Sequence, residues 1–191
     1  MEYKGDITYI EQVLAGNLNA YSNIVNRHKD RAFNLALRIC GNTEEAEEIT
    51  QDSFLKAFRS LSSFKMKSSF STWLYRIVYN SSISNIRGRK NRVLSLEDFP
   101  ADATDFTGYD ENEEETDEEY RKSLVNFALQ KLTEEERALI TLFYYDELSP
   151  DEIADVTGIN KTNLKVKLFR SRRKMQEIIE KAEKKNPVYH E

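Results

Sequence analysis

The 191-residue chain is 39% hydrophobic and 32% charged, with six glycines, three prolines and one cysteine. These values describe a soluble globular protein with modest cores, favour helices over turn-rich β architecture, and exclude an internal disulfide or a cysteine-built zinc site. The net charge of -5 conceals an uneven distribution: residues 93–120 hold twelve acidic side chains and no Lys or Arg, which leaves the remainder at +7. An acidic tether between two basic halves points to a nucleic-acid partner. The opening MEYKGDITYIEQ has no apolar leader segment, and no apolar run is long enough to span a bilayer. A cytoplasmic protein with no membrane insertion is therefore expected.

Taken in chain order, the pattern predicts an all-α protein of two small helical domains. The first covers about residues 5–92. In its stretch 21–40, Tyr21, Ile24, Val25, Ala32, Leu35, Ala36 and Ile39 recur at three- and four-residue spacing, and Gly41 follows where a helix would end. Asn42 with Glu45 three residues on marks a new helix start. Ala46, Ile49, Ala57, Phe58 and Leu61 line one face of it, while Glu48, Gln51, Asp52 and Leu55 fall on another. After a polar loop at 65–69, a third helical pattern runs through Trp73, Leu74, Ile77 and Val78 into the basic side chains Arg87, Arg89, Lys90 and Arg92. The aromatics Phe70, Trp73, Tyr75 and Tyr79 interleave with Arg and Asn in this tract. Such rings stack on unpaired bases or simply fill a core, and the residues alone leave both open.

Residues 93–120 read as an extended linker, because like charges repel and little there is hydrophobic. The second domain, 121–182, is well punctuated. Thr133 with Glu136 fits a capping box, and the helix it opens carries Leu139, Ile140, Leu142 and Phe143. Ser149-Pro150-Asp151-Glu152 starts a short helix that stops near Gly158, and Asn160 can cap a last helix running to about Glu180. A short helix, a glycine turn and a longer basic helix make a helix-turn-helix. Along the last helix, Leu164, Leu168, Met175 and Ile178 share one side at 100° per residue. Thr162, Lys165, Val166, Phe169 and Arg173 share the opposite side, flanked by Lys167, Arg170 and Arg172. Residues 156–185 hold ten Lys or Arg against three Glu. A solvated basic helix would have the same composition, but the division into core face and cationic face is what a major-groove helix requires.

Four segments in order carry a family resemblance: residues 16–21 (GNLNAY), 45–54 (EAEEITQDSF), 70–80 (FSTWLYRIVYN), and 152–154 (EIA) with 158–159 (GI) and the basic helix. Together they resemble the extracytoplasmic-function branch of the bacterial sigma factors, over about residues 7–92 and 121–180. The resemblance implies a factor that binds core RNA polymerase and directs transcription from promoters with -10 and -35 elements. It places polymerase docking on Glu48, Gln51, Asp52 and Leu55. The melted -10 strand falls to Lys65, Met66, Lys67, Ser68, Ser69, Trp73, Arg76 and Asn80, followed by Arg87, Arg89, Lys90 and Arg92. Within that set, 64–69 corresponds to a loop that captures a flipped base. The duplex -35 element falls to Lys161, Thr162, Lys165, Val166, Phe169, Arg170, Arg172 and Arg173. The linker corresponds to a segment threading toward the polymerase's RNA path, and an anti-sigma partner is implied by the resemblance alone.

The chain departs from the family pattern in places. Glu48 and Asp52 exchange the usual order of acids around Gln51, Ser84 stands where an acid is common, and Lys161-Thr162-Asn163 replaces a small, glycine-containing helix entry. His28 and His190 have no Cys or His neighbour at metal-ligand spacing, and no nucleophile–base pair stands out. No cofactor, metal or catalysis is expected. The competing reading, a stand-alone helix-turn-helix regulator, explains the C-terminal half but leaves 45–54 and 64–80 without a role. An enzyme carrying a DNA-binding domain would need clustered carboxylates that residues 1–92 do not display.

Overall fold

The computed structural model describes residues 3–94 and 117–185, and the described residues form eight α-helices with no strand. They are α1 (Tyr3–Leu14), α2 (Tyr21–Cys40), α3 (Thr43–Arg59), α4 (Phe70–Leu94), α5 (Asp117–Gln130), α6 (Glu134–Tyr144), α7 (Pro150–Thr157) and α8 (Lys161–Lys185), with single 3-10 turns at Leu18–Ala20 and Leu61–Ser63. Residues 95–116, the body of the expected acidic linker, lie outside the described part.

The helix boundaries follow from local chemistry. Gly41 ends α2 in the left-handed region at φ 73°, where a side chain would be strained. The Asn42 side-chain oxygen accepts from the Glu45 amide at 2.9 Å and starts α3. Both expected capping boxes form. Thr133 and Glu136 bond each other's backbone amides at the start of α6, and Ser149 and Glu152 do so at the start of α7. Burial alone would raise the Glu136 carboxyl, but donors from Lys174 and Thr133 hold it below its ordinary range.

α2, α3 and α4 form the N-terminal bundle around Ile24, Leu35, Ile39, Ala46, Ala57, Leu74 and Val78. α1 is clamped across it by charge. Asp6 is buried and accepts from Arg27 at 2.7 Å, and it lies 3.0 Å from Nε2 of His28, which is buried as well. His28 is thus a paired core residue, and its ring also packs near Phe70, with centroids 5.4 Å apart.

The two halves share one apolar core. Leu139, Leu142, Ile153, Val156 and Leu164 belong to the same buried cluster as Leu35, Ile39, Leu74 and Val78. α6 packs on α2, and α7 packs on α4. Polar contacts seal the seam. Tyr75 donates to Asp146 Oδ1 at 3.4 Å, Thr72 donates to Glu152 Oε1 at 3.4 Å, and the Arg38 guanidinium lies 3.6 Å from the centre of the Tyr145 ring.

Candidate polymerase and nucleic-acid interfaces

The first candidate surface lies on α3. Glu48, Gln51, Asp52 and Leu55 are all exposed, Leu55 by 52%, while Ile49, Ser53, Phe54 and Ala57 turn inward. Residues three and four apart on a helix are neighbours, so the exposed four make one acidic patch with an apolar edge. Beside it, α3 and α4 enclose an open groove of about 490 Å³ lined by Glu48, Asp52, Lys56, Ile77, Asn80 and Ser84.

The second surface is built from the loop 65–69 and α4. Lys65, Met66 and Lys67 are exposed, and Met66 adopts φ 53°, unusual for a residue with a side chain. Ser68 is half-buried. Ser69, expected among the DNA contacts, is buried. Its hydroxyl accepts from the Thr72 amide at 2.9 Å and meets the Thr72 hydroxyl at 2.6 Å, so it caps α4 and anchors the loop. Trp73 is half-buried against Phe64 and Phe70, with ring centroids 5.2 and 5.6 Å away. Arg76, Asn80 and Arg87 are exposed and continue from Trp73 along one stripe of α4. Arg89 turns back to α3, where it contacts both oxygens of Glu45 at 3.1 and 3.3 Å. The side chains of Lys90 and Arg92 lie outside the described part.

The third surface is α8. The turn before it uses Gly158 at φ 73°, and the Asn160 side chain accepts from the amides of Thr162 and Asn163 at 2.9 and 3.2 Å. Leu164 and Leu168 are buried, and Met175 and Ile178 are half-buried, which fixes the core side. Thr162, Lys165, Val166, Phe169 and Arg173 face outward, as the periodicity requires. Several cations of the helix are engaged within the protein. Lys161 pairs with Asp151 at 2.8 Å, Lys167 with Glu135, Lys174 with Glu136 at 2.8 Å and Arg173 with Glu177 at 3.0 Å, and Arg172 donates to the Tyr144 hydroxyl at 3.1 Å. Lys165 and Arg170 have no such partner among the described residues and are exposed.

Between the halves lies a cavity of about 430 Å³, lined by Asp6, Arg31, Ser69, Tyr75, Asp146 and Glu152 among others. It puts the start of α7 beside the start of α4, next to the loop of the second surface. Burial raises the Asp146 carboxyl from 3.8 to about 6, partly opposed by Tyr75, Arg31 and Arg38. Burial likewise pushes the Tyr75 phenol up, helped by the Asp146 charge. Periodicity and turn signals carry no information about this seam. Among the described residues, no group of three or more His, Cys, Asp or Glu could hold a metal ion, and no helix is long and apolar enough to cross a membrane.

Comparison with known proteins gives these surfaces a family. Residues 24–92 match the model of sigma-70 region 2, and residues 124–175 match that of sigma-70 region 4. The chain is 33% identical over 170 residues to the ECF RNA polymerase sigma factor SigW of Bacillus subtilis, covering 85% of this chain and 90% of that one. It is 29% identical over 184 residues to the RNA polymerase sigma-H factor of Pseudomonas aeruginosa, covering 93% of each. Its fold is similar to that of the sigma factor RpoE of Bartonella quintana, solved in complex with the anti-sigma factor NepR. That match has a TM-score of 0.68 at 21% identity and covers 84% of this chain and 96% of that one. The chain belongs to the ECF sigma factors, the branch that its sequence resembles. It binds core RNA polymerase and directs promoter-specific initiation through -10 and -35 elements.

Proposed function

We propose how the work is divided along the chain. Residues 5–92 dock on core polymerase and take the melted -10 strand, and 121–182 bind the -35 duplex. Docking falls to Glu48, Gln51, Asp52 and Leu55, whose acidic patch suits basic groups on the polymerase. The loop 65–68 receives an unstacked base, with Ser69 holding the loop's end and Trp73, Arg76, Asn80 and Arg87 following the strand along α4. Lys165, Val166 and Phe169 face the -35 base edges, and Arg170 and Arg172 face phosphates. The observation that carries this reading is the outward stripe of α8, opposed to buried Leu164 and Leu168 and preceded by a capped short helix and a glycine turn. The chain acts without catalysis of its own, in the bacterial cytoplasm. An anti-sigma factor is its natural antagonist, by analogy with the RpoE complex.

This reading requires the two halves to part. Positions -10 and -35 differ by about 25 base pairs, a distance of about 85 Å at roughly 3.4 Å per pair. Residues 95–116, fully extended, reach roughly 75 Å, which with the domains themselves spans the distance. The packed seam between Tyr75 and Asp146 then belongs to the free protein. The test is transcription with purified core polymerase and mapping of the start sites. Defined starts preceded by two shared elements are expected. A chain that binds DNA but neither captures core polymerase nor starts transcripts would instead be a stand-alone regulator.

A further inference from the structure

Of the large hydrophobic side chains on α8, two are displayed to solvent: Val166, 44% exposed, and Phe169, 59% exposed. They are three residues apart, so their Cβ atoms lie about 5–6 Å from one another on one face. Thr162 shares that face, and Lys165 and Arg170 bracket it. Those two cations lack a partner among the described residues, whereas Lys161, Lys167, Arg173 and Lys174 are paired with carboxylates. The surface is therefore an apolar pair between two available positive charges. A polyanion with apolar groups on its readable edge complements it. In the major groove the one apolar group is the C5 methyl of thymine, and apolar side chains contact it there. Neighbouring bases rise about 3.4 Å and also rotate around the groove, a spacing that two side chains one helical turn apart can match.

We propose that Val166 and Phe169 read two adjacent thymine methyl groups on one strand of the -35 element. The inference rests on the assignment of α8 as the -35 reader. Neither side chain forms a hydrogen bond to a base, so the discrimination is by methyl burial, while Lys165 and Arg170 supply the attraction to the duplex.

Holoenzyme assembled from the full chain and purified core polymerase selects a promoter from a library randomised over both elements. Each -35 thymine of the selected duplex is then replaced by uracil, which removes the C5 methyl and keeps every hydrogen-bonding group. Two adjacent thymines are expected, and uracil at each should weaken binding by about fourfold, the ratio corresponding to burial of one methylene-sized group. Val166→Ala should abolish the penalty at one thymine and Phe169→Ala at the other. Both side chains are exposed, so circular dichroism should not change. If uracil is tolerated at every position while T·A to G·C changes still weaken binding, the methyl reading is overturned and α8 stands as the -35 reader. If no base change in the -35 element alters binding, that assignment fails and takes the proposal with it.

Discussion

Tyr75 and Asp146, 71 residues apart in the chain, meet at the seam between the two halves, the phenol donating to Oδ1 at 3.4 Å. Asp146 Oδ2 is buried with no hydrogen-bond partner among the described residues. An ionised carboxylate in that position loses the water it has when the halves are apart, and a neutral one loses much less by the same burial. The seam therefore carries a pH dependence.

The sign follows from the raised carboxyl, about 6 in the packed form against 3.8 for an ordinary aspartate. Well below 3.8 the acid is neutral in both forms. Through the window up to about 6 the packed form keeps a proton that the separated form has lost. Packing is thus firmest at the acid end and weakens as pH rises through that window. Asp146→Asn keeps an acceptor for Tyr75 and removes the charge. It should raise stability at pH 7 by something on the order of 1–3 kcal/mol, and most of that gain should be gone by about pH 4. Paired urea unfolding of the two proteins across pH 4 to 8 checks this. A gain that stays constant with pH would mean Asp146 is not the titrating group.

The caps make a second prediction. Ser149 bonds the Glu152 amide at 3.3 Å and receives the Glu152 carboxylate on its own amide at 2.9 Å. Ser149→Ala removes half of the box and should destabilise α7 by roughly 1 kcal/mol. Gly158→Ala forces a side chain into the left-handed region and should cost about 1 kcal/mol as well. Thermal melts of the two single variants should both shift downward, and a double variant should show whether the two ends of α7 act independently.

Those same caps explain what is legible from sequence. Asn42, Thr133, Ser149, Asn160, Gly41 and Gly158 act on neighbours within four residues, so their pattern is visible in the chain itself. The apolar face of α8 is legible for the same reason. The seam is not, because periodicity says which face is apolar and never which element covers it. Asp6 with His28 and Arg27, and Glu135 with Lys167, join residues too far apart in sequence to be matched by spacing. Ser69 reads as a loop donor because a serine capping α4 and a serine facing DNA have the same local sequence.

Unequal engagement of the α8 cations gives a third prediction. Removing one cation that binds a phosphate should lower the slope of log affinity against log salt by about 0.9. Arg170→Ala and Arg172→Ala should each show this on the selected duplex without changing base preference. Lys167→Ala removes an exposed cation already paired with Glu135 and should leave the slope nearly unchanged. Filter binding across a range of salt concentrations distinguishes them. Equal slopes for Arg170→Ala and the unaltered chain would remove Arg170 from the set of phosphate-binding residues.

Charge reversal on α3 tests the docking patch. Glu48→Lys with Asp52→Lys places two cations where the polymerase is expected to present its own, and like-charge juxtaposition costs several kcal/mol. Capture of core polymerase should be abolished. Both positions are exposed, so melting temperature should move little. Native gel shifts and circular dichroism read the two effects separately, and a folded variant that still binds core polymerase at unchanged affinity would falsify the assignment.

Trp73 poses the hardest separation, because its ring serves the fold and faces the proposed strand path together. It packs on Phe64 and Phe70, and Phe70 in turn lies near His28. Trp73→Ala removes that packing and should destabilise the protein by roughly 1–3 kcal/mol, less than a fully buried tryptophan would cost because the ring is only half-buried. That effect alone would reduce all activity alike, whatever the state of the DNA. A stacking role predicts something else. Unpairing a base costs a few kcal/mol, and an aromatic face offsets part of it. The variant should therefore be impaired on duplex promoter and largely spared on a template already melted over the -10 element. Transcript yields from both templates, with permanganate footprints on the duplex and all at a temperature where the variant is folded, measure the ratio. Trp73→Phe adds a control, since it retains a stacking ring with less packing and should restore opening more fully than stability. Equal impairment on duplex and pre-melted templates would assign Trp73 to the core alone.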